Sequence, residues 1–197
     1  MKRLGRRFFA RDSVDVAPEL LNKVLVVGRC SGRIVEVEAY RQDDPASHSF
    51  RGPTPRNAVM FGRAGHLYVY FTYGMHFCAN VVTGSEGHGS AVLFRALEPL
   101  DGLDDMRARR PRIGRDIDLA NGPGKLCAAL GLNRSHNGAD FVTDDSVGIF
   151  DDGCRPPEIP GRSARVGITV GIERPWRFFV PGNRCVSRGR PSVASVE

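Results

Sequence analysis

Two glutamates, Glu36 and Glu38, are the residues with the clearest capacity for chemistry. They lie in a run of alternating side chains at residues 34–40, and a period of two predicts a β-strand. The alternation places Ile34 and Tyr40 on the face of the carboxylates and leaves the intervening apolar residues to pack on a core. A carboxylate held on such a face, beside a tyrosine, could act as a general base that activates a water molecule.

A lone arginine, Arg95, stands in the otherwise apolar run of residues 92–97. A guanidinium in the middle of such a run is expected to be buried and to need a carboxylate partner. Glu36, Glu38 and Glu98 are the candidates by residue type. A carboxylate held by arginine stays ionised, as a general base must. The alternative is that the two strand glutamates are solvated on an exposed face.

Aromatic side chains could supply flat surfaces next to the carboxylates. Tyr68 and Tyr70 share one face of a predicted strand at residues 67–72, and Tyr40 belongs to the glutamate strand. Tyrosine hydroxyls need water or a polar partner, so Tyr40 and Tyr70 could face a cavity and sandwich a planar ring. Ordinary core packing is the alternative for this set.

Two further polar residues accompany this set. His48 lies in a long loop at residues 41–65, and long loops in compact domains are often functional. Asn80 lies on the strand that returns from the second hairpin and offers an amide to a ring edge or to the backbone. The histidines have no metal-ligand spacing, and the five cysteines are scattered without a CxxC pair. Neither a disulfide framework nor a metal site is therefore expected.

The composition indicates a globular protein that carries excess positive charge. The chain has 197 residues, 41% of them hydrophobic, with a formal net charge of +6 and a sequence pI of about 9.4. This length suits one domain with a sizeable core. No membrane span or signal segment is visible, so an intracellular protein, in the cytoplasm and nucleoid or in a nucleus, is expected. The charge favours nucleic acid as a partner, although a merely basic protein is the alternative.

The hydrophobic periodicity predicts a mixed α+β domain spanning residues 1–197, with a loose tail after Ser187. Strands are predicted at residues 24–27, 34–40, 67–72, 75–82, 91–97, 165–171 and 177–180, and helices at 100–110, 126–132 and in a short segment capped by Asp15. Short turns join several neighbouring strands, which favours antiparallel pairing.

Two predicted turns have unusual residues. Tyr73 and Gly74 form the tip of the second hairpin, where an aromatic side chain could enter a base stack as a wedge or pack back on a loop. Residues 121–125, which end in Lys125, are similar to an anion-binding turn at the start of a helix. A plain turn into the helix is equally compatible with that segment.

These motifs, in combination and in order, resemble the alkyladenine (3-methylpurine) DNA glycosylase family. The matching segments, which span nearly the whole chain, are residues 34–40, 46–49, 54–57, 67–70, 73–75, 77–80, 93–100, 122–127 and 165–167. The resemblance implies a single α+β domain with a curved, mainly antiparallel sheet, flanking helices and a protruding β-hairpin that inserts into DNA. It also implies a monomer that needs no cofactor and no metal.

The resemblance further implies an activity and a role for each site residue. Family members flip alkylated or deaminated purines out of duplex DNA and hydrolyse the N-glycosidic bond without a lysine Schiff base. On this basis Glu38 deprotonates the attacking water, which Arg95 and the main chain near Val166 help to hold. The flipped base is enclosed by Tyr40, His48 and Tyr70, and Asn80 disfavours guanine. Tyr73 fills the gap in the stack, and the DNA backbone is contacted by Lys125 and Arg56. His76, Phe50 and Arg51 depart from the family pattern and leave the preferred lesion open.

Two other functions are compatible with the same residues. A non-catalytic nucleic-acid-binding domain would use the glycine-rich turn for phosphate and the tyrosines for base stacking, but it does not explain Glu38 beside Arg95. A metal-dependent nuclease would use Glu36 and Glu38 with Asp43 or Asp44, and a chelator would abolish its activity.

Overall fold

The computed structural model describes residues 1–72 and 74–192, and within them nine strands form one antiparallel sheet. The strands are β1 (Lys2–Arg3), β2 (Val24–Val27), β3 (Cys30–Tyr40), β4 (Leu67–Thr72), β5 (His76–Val82), β6 (Ala91–Pro99), β7 (Val147–Asp151), β8 (Gly161–Ser163) and β9 (Arg177–Phe179). The main path runs β1-β7-β2-β3-β6-β5-β4, while β9 pairs with both β3 and β8.

Four α-helices accompany the sheet in the described residues: α1 (Arg6–Phe9), α2 (Ser13–Leu20), α3 (Leu103–Arg109) and α4 (Pro123–Leu130). Apolar side chains of α2, α3 and α4 pack with one face of the sheet to form the main core. The predicted α+β class with a curved antiparallel sheet is thus confirmed. None of the helices described is long and apolar enough to cross a membrane.

Two local predictions are wrong. Helix α2 is capped by Asp12, whose side chain accepts a hydrogen bond from Val14 N, and not by Asp15. The segment at residues 165–171 alternates like a strand but forms turns. Its two glycines adopt φ values of +74° and +64°, a left-handed conformation that interrupts an extended chain.

On four neighbouring strands, successive side chains point to opposite faces of the sheet. One face packs on the core, and the other is here called the second face. On β3, β6, β5 and β4 the core-facing side chains are Val37, Ala39, Val92, Phe94, Ala79, Val81, Leu67 and Val69. The intervening residues, which include Glu38 and Asn80, face the other side of the sheet. This is the arrangement that a period of two produces when one face packs on helices.

A pair of bulges modifies this alternation where β3 meets β6. Val35 is an extra residue on β3, and Arg95 is an extra residue on β6. Ile34 consequently joins the main core, while Val35 packs with Ala96 and Cys185 on the other side. The prediction that Ile34 shares the face of the glutamates is therefore wrong, because each extra residue breaks the period of two.

The β4–β5 hairpin and the last described residues, up to Ser192, both lie near this second face. At the hairpin tip Met75 N donates to Thr72 O, and Gly74 has a φ of +66°; Tyr73 lies outside the described residues. Ser192 N donates to Arg165 O. Residues 193–197 also lie outside the described part, and the looseness expected of the tail stays a prediction.

Candidate active site

A cavity of about 240 Å³ opens on the second face of the sheet. Seven residues singled out from the sequence for catalysis or for base binding all line it: Glu38, Arg95, Tyr40, His48, Tyr70, Asn80 and Val166. The volume lies below the roughly 300–1,000 Å³ that is usual for drug-sized ligands. The cavity therefore suits one small group.

One wall of the cavity is a row of side chains across four strands. Glu38 pairs with Leu93, Leu93 with Asn80, and Asn80 with Tyr68. Neighbouring strands lie about 4.8 Å apart, so this row spans about 14 Å. The sheet thus fixes the distance between the carboxylate at one end and the phenol ring at the other.

Glu38 is fully buried and has a hydrogen-bond donor at each carboxylate oxygen. Val166 N donates to Oε1 over 2.7 Å, and the Tyr40 hydroxyl donates to Oε2 over 2.9 Å. Arg95 Nη1 lies 3.3 Å from the same Oε1. Burial, followed by the Glu38 charge, raises the pKa of Tyr40 well above its usual value, so the hydroxyl stays protonated as a donor. These contacts fix the carboxylate in one orientation at the cavity wall.

A second buried carboxylate, Glu36, lies behind Arg95. Its Oε1 accepts from Arg95 Nε over 2.8 Å and from Arg177 Nε over 2.7 Å. Burial would raise the pKa of Glu36, but the two guanidinium groups outweigh it and lower the pKa overall. Burial likewise opposes the charge of Arg95, and the carboxylates of Glu38 and Glu36 outweigh it and raise the pKa of Arg95. Glu36 and Arg95 therefore both favour their charged forms.

A further buried ion pair lies under the ring of Tyr40. Arg165 and Asp44 are both fully buried and make a bidentate contact. The Arg165 guanidinium also lies 4.6 Å from the centre of the Tyr40 ring and 5.4 Å from that of Trp176. Because Arg165 directly precedes Val166, the pair fixes both the ring and the backbone N–H that contact Glu38.

Replacing Asp44 with asparagine is expected to lower the free energy of unfolding by about 3 kcal/mol, because it leaves Arg165 buried without a charged partner. Chemical denaturation measures this change. Asp43→Asn is the matched control, since the Asp43 side chain is 59% exposed and its ion pairs are worth less than about 1 kcal/mol. Equal losses for the two variants would contradict the prediction.

Aromatic rings on β4 and from the loop at residues 41–65 line another part of the cavity. Tyr68 and Tyr70 stack with ring centres 5.5 Å apart, and His48 meets Tyr70 edge-on at 4.5 Å. His48 Nδ1 lies 3.1 Å from the Tyr68 hydroxyl. Burial, and secondarily the charge of Arg56, lowers the pKa of His48, so the imidazole is neutral at pH 7. Burial raises the pKa of Tyr68 to about 12, so these rings form an uncharged aromatic wall.

Two residues selected from the sequence, Arg56 and Lys125, are not among those that line this cavity. Arg56 is exposed, and its Nη2 donates to Phe71 O on the hairpin. Lys125 lies in the first turn of α4 and donates to Asn121 Oδ1 over 2.8 Å. Tyr73 lies outside the described residues. Arg56 and Lys125 are basic side chains outside the cavity, and this position is compatible with contacts to an anionic polymer.

Several buried residues that contact the catalytic candidates or their neighbours were not predicted from the sequence. Arg177, Arg165 and Ser187 were not selected, although each is buried and contacts Glu36 or the segment around Val166. Arg177 carried a usable signal, because it stands alone in an aromatic run just as Arg95 stands alone in an apolar one. Arg165 and Ser187 carried no such signal in the sequence.

Comparisons with known proteins agree on one family. The family model described as methylpurine-DNA glycosylase matches residues 7–184. Similar proteins from Burkholderia lata, Methanoculleus marisnigri and Rhodococcus jostii all bear the name "Putative 3-methyladenine DNA glycosylase". They are 55%, 51% and 47% identical to this chain, over 93%, 94% and 96% of it and over 90%, 98% and 87% of their own lengths.

Proposed function

The chain belongs to the methylpurine-DNA glycosylase family, and from this we propose that it flips damaged purines out of duplex DNA and hydrolyses their N-glycosidic bonds with a water that Glu38 activates. The family makes the chain a hydrolase of DNA repair that acts on a glycosidic bond of DNA. Base flipping, the attacking water and the individual roles are the further steps of the proposal.

The observation that carries the proposal is the fixed Glu38 carboxylate in the same cavity as the aromatic wall. A general base must lie within hydrogen-bond reach of the proton it removes. Glu38 meets this need for a water bound beside it, because Val166 and Tyr40 prevent the carboxylate from turning away. The charge of Arg95 at 3.3 Å offsets that of the carboxylate and could steady the water.

The aromatic wall accounts for recognition of the base. A flipped purine would stack on the ring of Tyr70, with Tyr40 and His48 at its edges. Asn80 lines the cavity between Leu93 and Tyr68. Its Nδ2 donates to Tyr68 O over 3.1 Å, and this bond fixes the orientation of the amide in the cavity wall. An alkylated purine is already a good leaving group, so the site needs only to hold the base and to supply the nucleophile.

Cationic side chains outside the cavity could hold the DNA backbone. Lys125 lines a surface groove together with Arg112, Arg115 and Arg188. Pro123, two residues before Lys125 on α4, lines the cavity. Phosphate contacts by such residues position a duplex without reading its sequence. We assign Lys125 and Arg56 to this role.

The rival functions are less well supported by the contacts. A metal-dependent nuclease would need free carboxylates, but Glu36 is occupied by Arg95 and Arg177, and Asp44 is occupied by Arg165. A binding domain without activity would not need a carboxylate fixed from both sides in its base pocket.

The direct test is to incubate the protein with duplex DNA that carries 3-methyladenine or hypoxanthine, with a chelator present, and to assay free base. Release of the base without strand cleavage supports the proposal. Strand cleavage that the chelator abolishes would establish the nuclease instead, and binding without release of either base would establish the binding domain.

Replacing Tyr73 with alanine is expected to weaken binding to lesion-containing duplex, because the tyrosine ring would fill the gap left by the flipped base. A stacked aromatic ring contributes about 1–3 kcal/mol, so the loss is expected to be about tenfold or more. Base release is compared on a matched duplex and on one whose lesion lies opposite an abasic site, where the lesion is already unpaired and the loss should be smaller. Equal losses on both duplexes, or none on either, would mean that Tyr73 is not a wedge.

A further inference from the structure

The segment at residues 185–192, here called the C-terminal strap, lies against two residues of the cavity. A Cβ atom added at Gly189 would lie 2.8 Å from Val166 Cγ1 and 3.1 Å from Arg95 Nη2. Only glycine permits the strap backbone to approach these side chains so closely. The strap therefore contacts both groups that flank Oε1 of Glu38.

The first anchor of the strap is Ser187. Its backbone N–H donates to Glu36 Oε2 over 2.6 Å, and its hydroxyl donates to Glu36 Oε1 over 2.9 Å. Ser187 thus occupies both oxygens of the carboxylate that holds Arg95 Nε. Because a guanidinium is a rigid fork, fixing Glu36 also fixes the Arg95 nitrogen that faces Glu38.

The second anchor is Ser192. Its backbone N–H donates to Arg165 O over 2.9 Å, and its hydroxyl accepts from Ile168 N over 3.1 Å. These two bonds bracket Val166, the residue whose N–H binds Glu38. The strap is therefore tied to both sides of the catalytic carboxylate through different partners.

We propose that the strap is a positioning element of the active site, in which Ser187 orients Arg95 through Glu36 and Ser192 holds the Val166 N–H on Glu38. This inference rests on the proposed function, because it assigns Glu38 the role of the base. Ser187 and Ser192 are not among the residues that line the cavity. The competing view is that Ser187 only satisfies a buried carboxylate and contributes to stability alone.

Ser187→Ala separates positioning from stability when it is compared with Ser31→Ala. Ser31 lies on the same strand as Glu36, is also buried, and donates to the Asp101 carboxylate over 2.6 Å. Each hydroxyl donates one bond to a carboxylate and accepts one from an N–H group, that of Arg95 Nη2 for Ser187 and that of Asp101 N for Ser31. Both variants lose two bonds of these kinds, so similar falls in Tm are expected. Only Ser187→Ala is expected to lower the single-turnover rate of base release, by about tenfold, as the loss of one bond to a charged group would do, with the Kd for lesion DNA unchanged. Ser187→Thr should restore the rate.

Gly189→Ala tests the same contact without removing a polar group. The added methyl group would press on Val166 and Arg95, and a fall in the rate similar to that of Ser187→Ala is expected. Gly5→Ala is the control, since an added Cβ there meets nothing within 4 Å. Wild-type rates in both Ser187→Ala and Gly189→Ala, measured on folded protein, would overturn the proposal.

The positioning role of the strap can also be tested in the protein without DNA, which matters if no base release is found. The exchange of the Val166 amide proton is followed by NMR in wild type, Ser192→Ala and Ser31→Ala. Ser192→Ala is expected to speed this exchange at least about tenfold, and Ser31→Ala to leave it unchanged. Unchanged exchange in Ser192→Ala would overturn the proposal whether or not the wild-type protein is active, whereas absent base release in wild type would overturn only the proposed function.

Discussion

Replacing Glu38 with glutamine is expected to abolish base release and to leave binding of lesion-containing DNA nearly unchanged. Glutamine keeps the size and the planar shape of the carboxylate, so the amide oxygen could still accept from Val166 N. It cannot accept a proton from water at neutral pH. General-base catalysis contributes roughly 10²–10⁴-fold, so the single-turnover rate is expected to fall about a thousandfold. The rate is measured with excess enzyme, and the Kd by fluorescence anisotropy.

The matched control for this change is Glu98→Gln. Glu98 lies on β6, is partly exposed, and accepts from Asn183 Nδ2 over 2.9 Å away from the cavity. This variant removes the same charge from the sheet and should release the base at the wild-type rate. A Glu38→Gln protein that retained more than about a tenth of the wild-type rate would exclude Glu38 as the base.

The sequence contained enough information to predict the wall of the cavity. A period of two on β3 and β4, together with a lone arginine on β6, selected Glu38, Tyr40, Tyr70 and Arg95, and the structure places all of them around one cavity. The reason is local: alternation decides which side chains share a face, and an arginine in an apolar run must find a carboxylate. The roles of these residues stay predictions.

The parts that could not be predicted depend on contacts between distant segments. Asp44 and Arg165 form a buried pair although 121 positions separate them, and neither has a neighbour in the sequence that reveals the other. The alternation around Val166 favoured a strand, but positive φ values at the following glycines turn the chain. The extra residue Val35 on β3 likewise changes the face of Ile34 without any mark in the pattern.

Replacing Arg95 with alanine is expected to remove activity and also to lower the free energy of unfolding by about 3–5 kcal/mol. Arg95 is 5% exposed and contacts both Glu36 and Glu38. Its removal leaves two buried carboxylates with one guanidinium, that of Arg177, and the group as a whole then carries an uncompensated negative charge. Denaturant unfolding measures the stability, and single-turnover base release measures the activity of the protein that remains folded.

Arg177→Ala and Arg95→Lys separate the two effects of Arg95. Arg177 contacts Glu36 but makes no ion pair with Glu38 among the described residues, so its loss should destabilise the protein to a similar extent and retain more activity. Lysine at position 95 keeps the charge but has no rigid fork, and one ammonium cannot replace both contacts. Arg95→Lys should therefore fold and still release base at least about a hundredfold more slowly. If Arg95→Lys is fully active, the charge alone suffices at this position; if Arg95→Ala is both stable and active, Arg95 does not belong to the site.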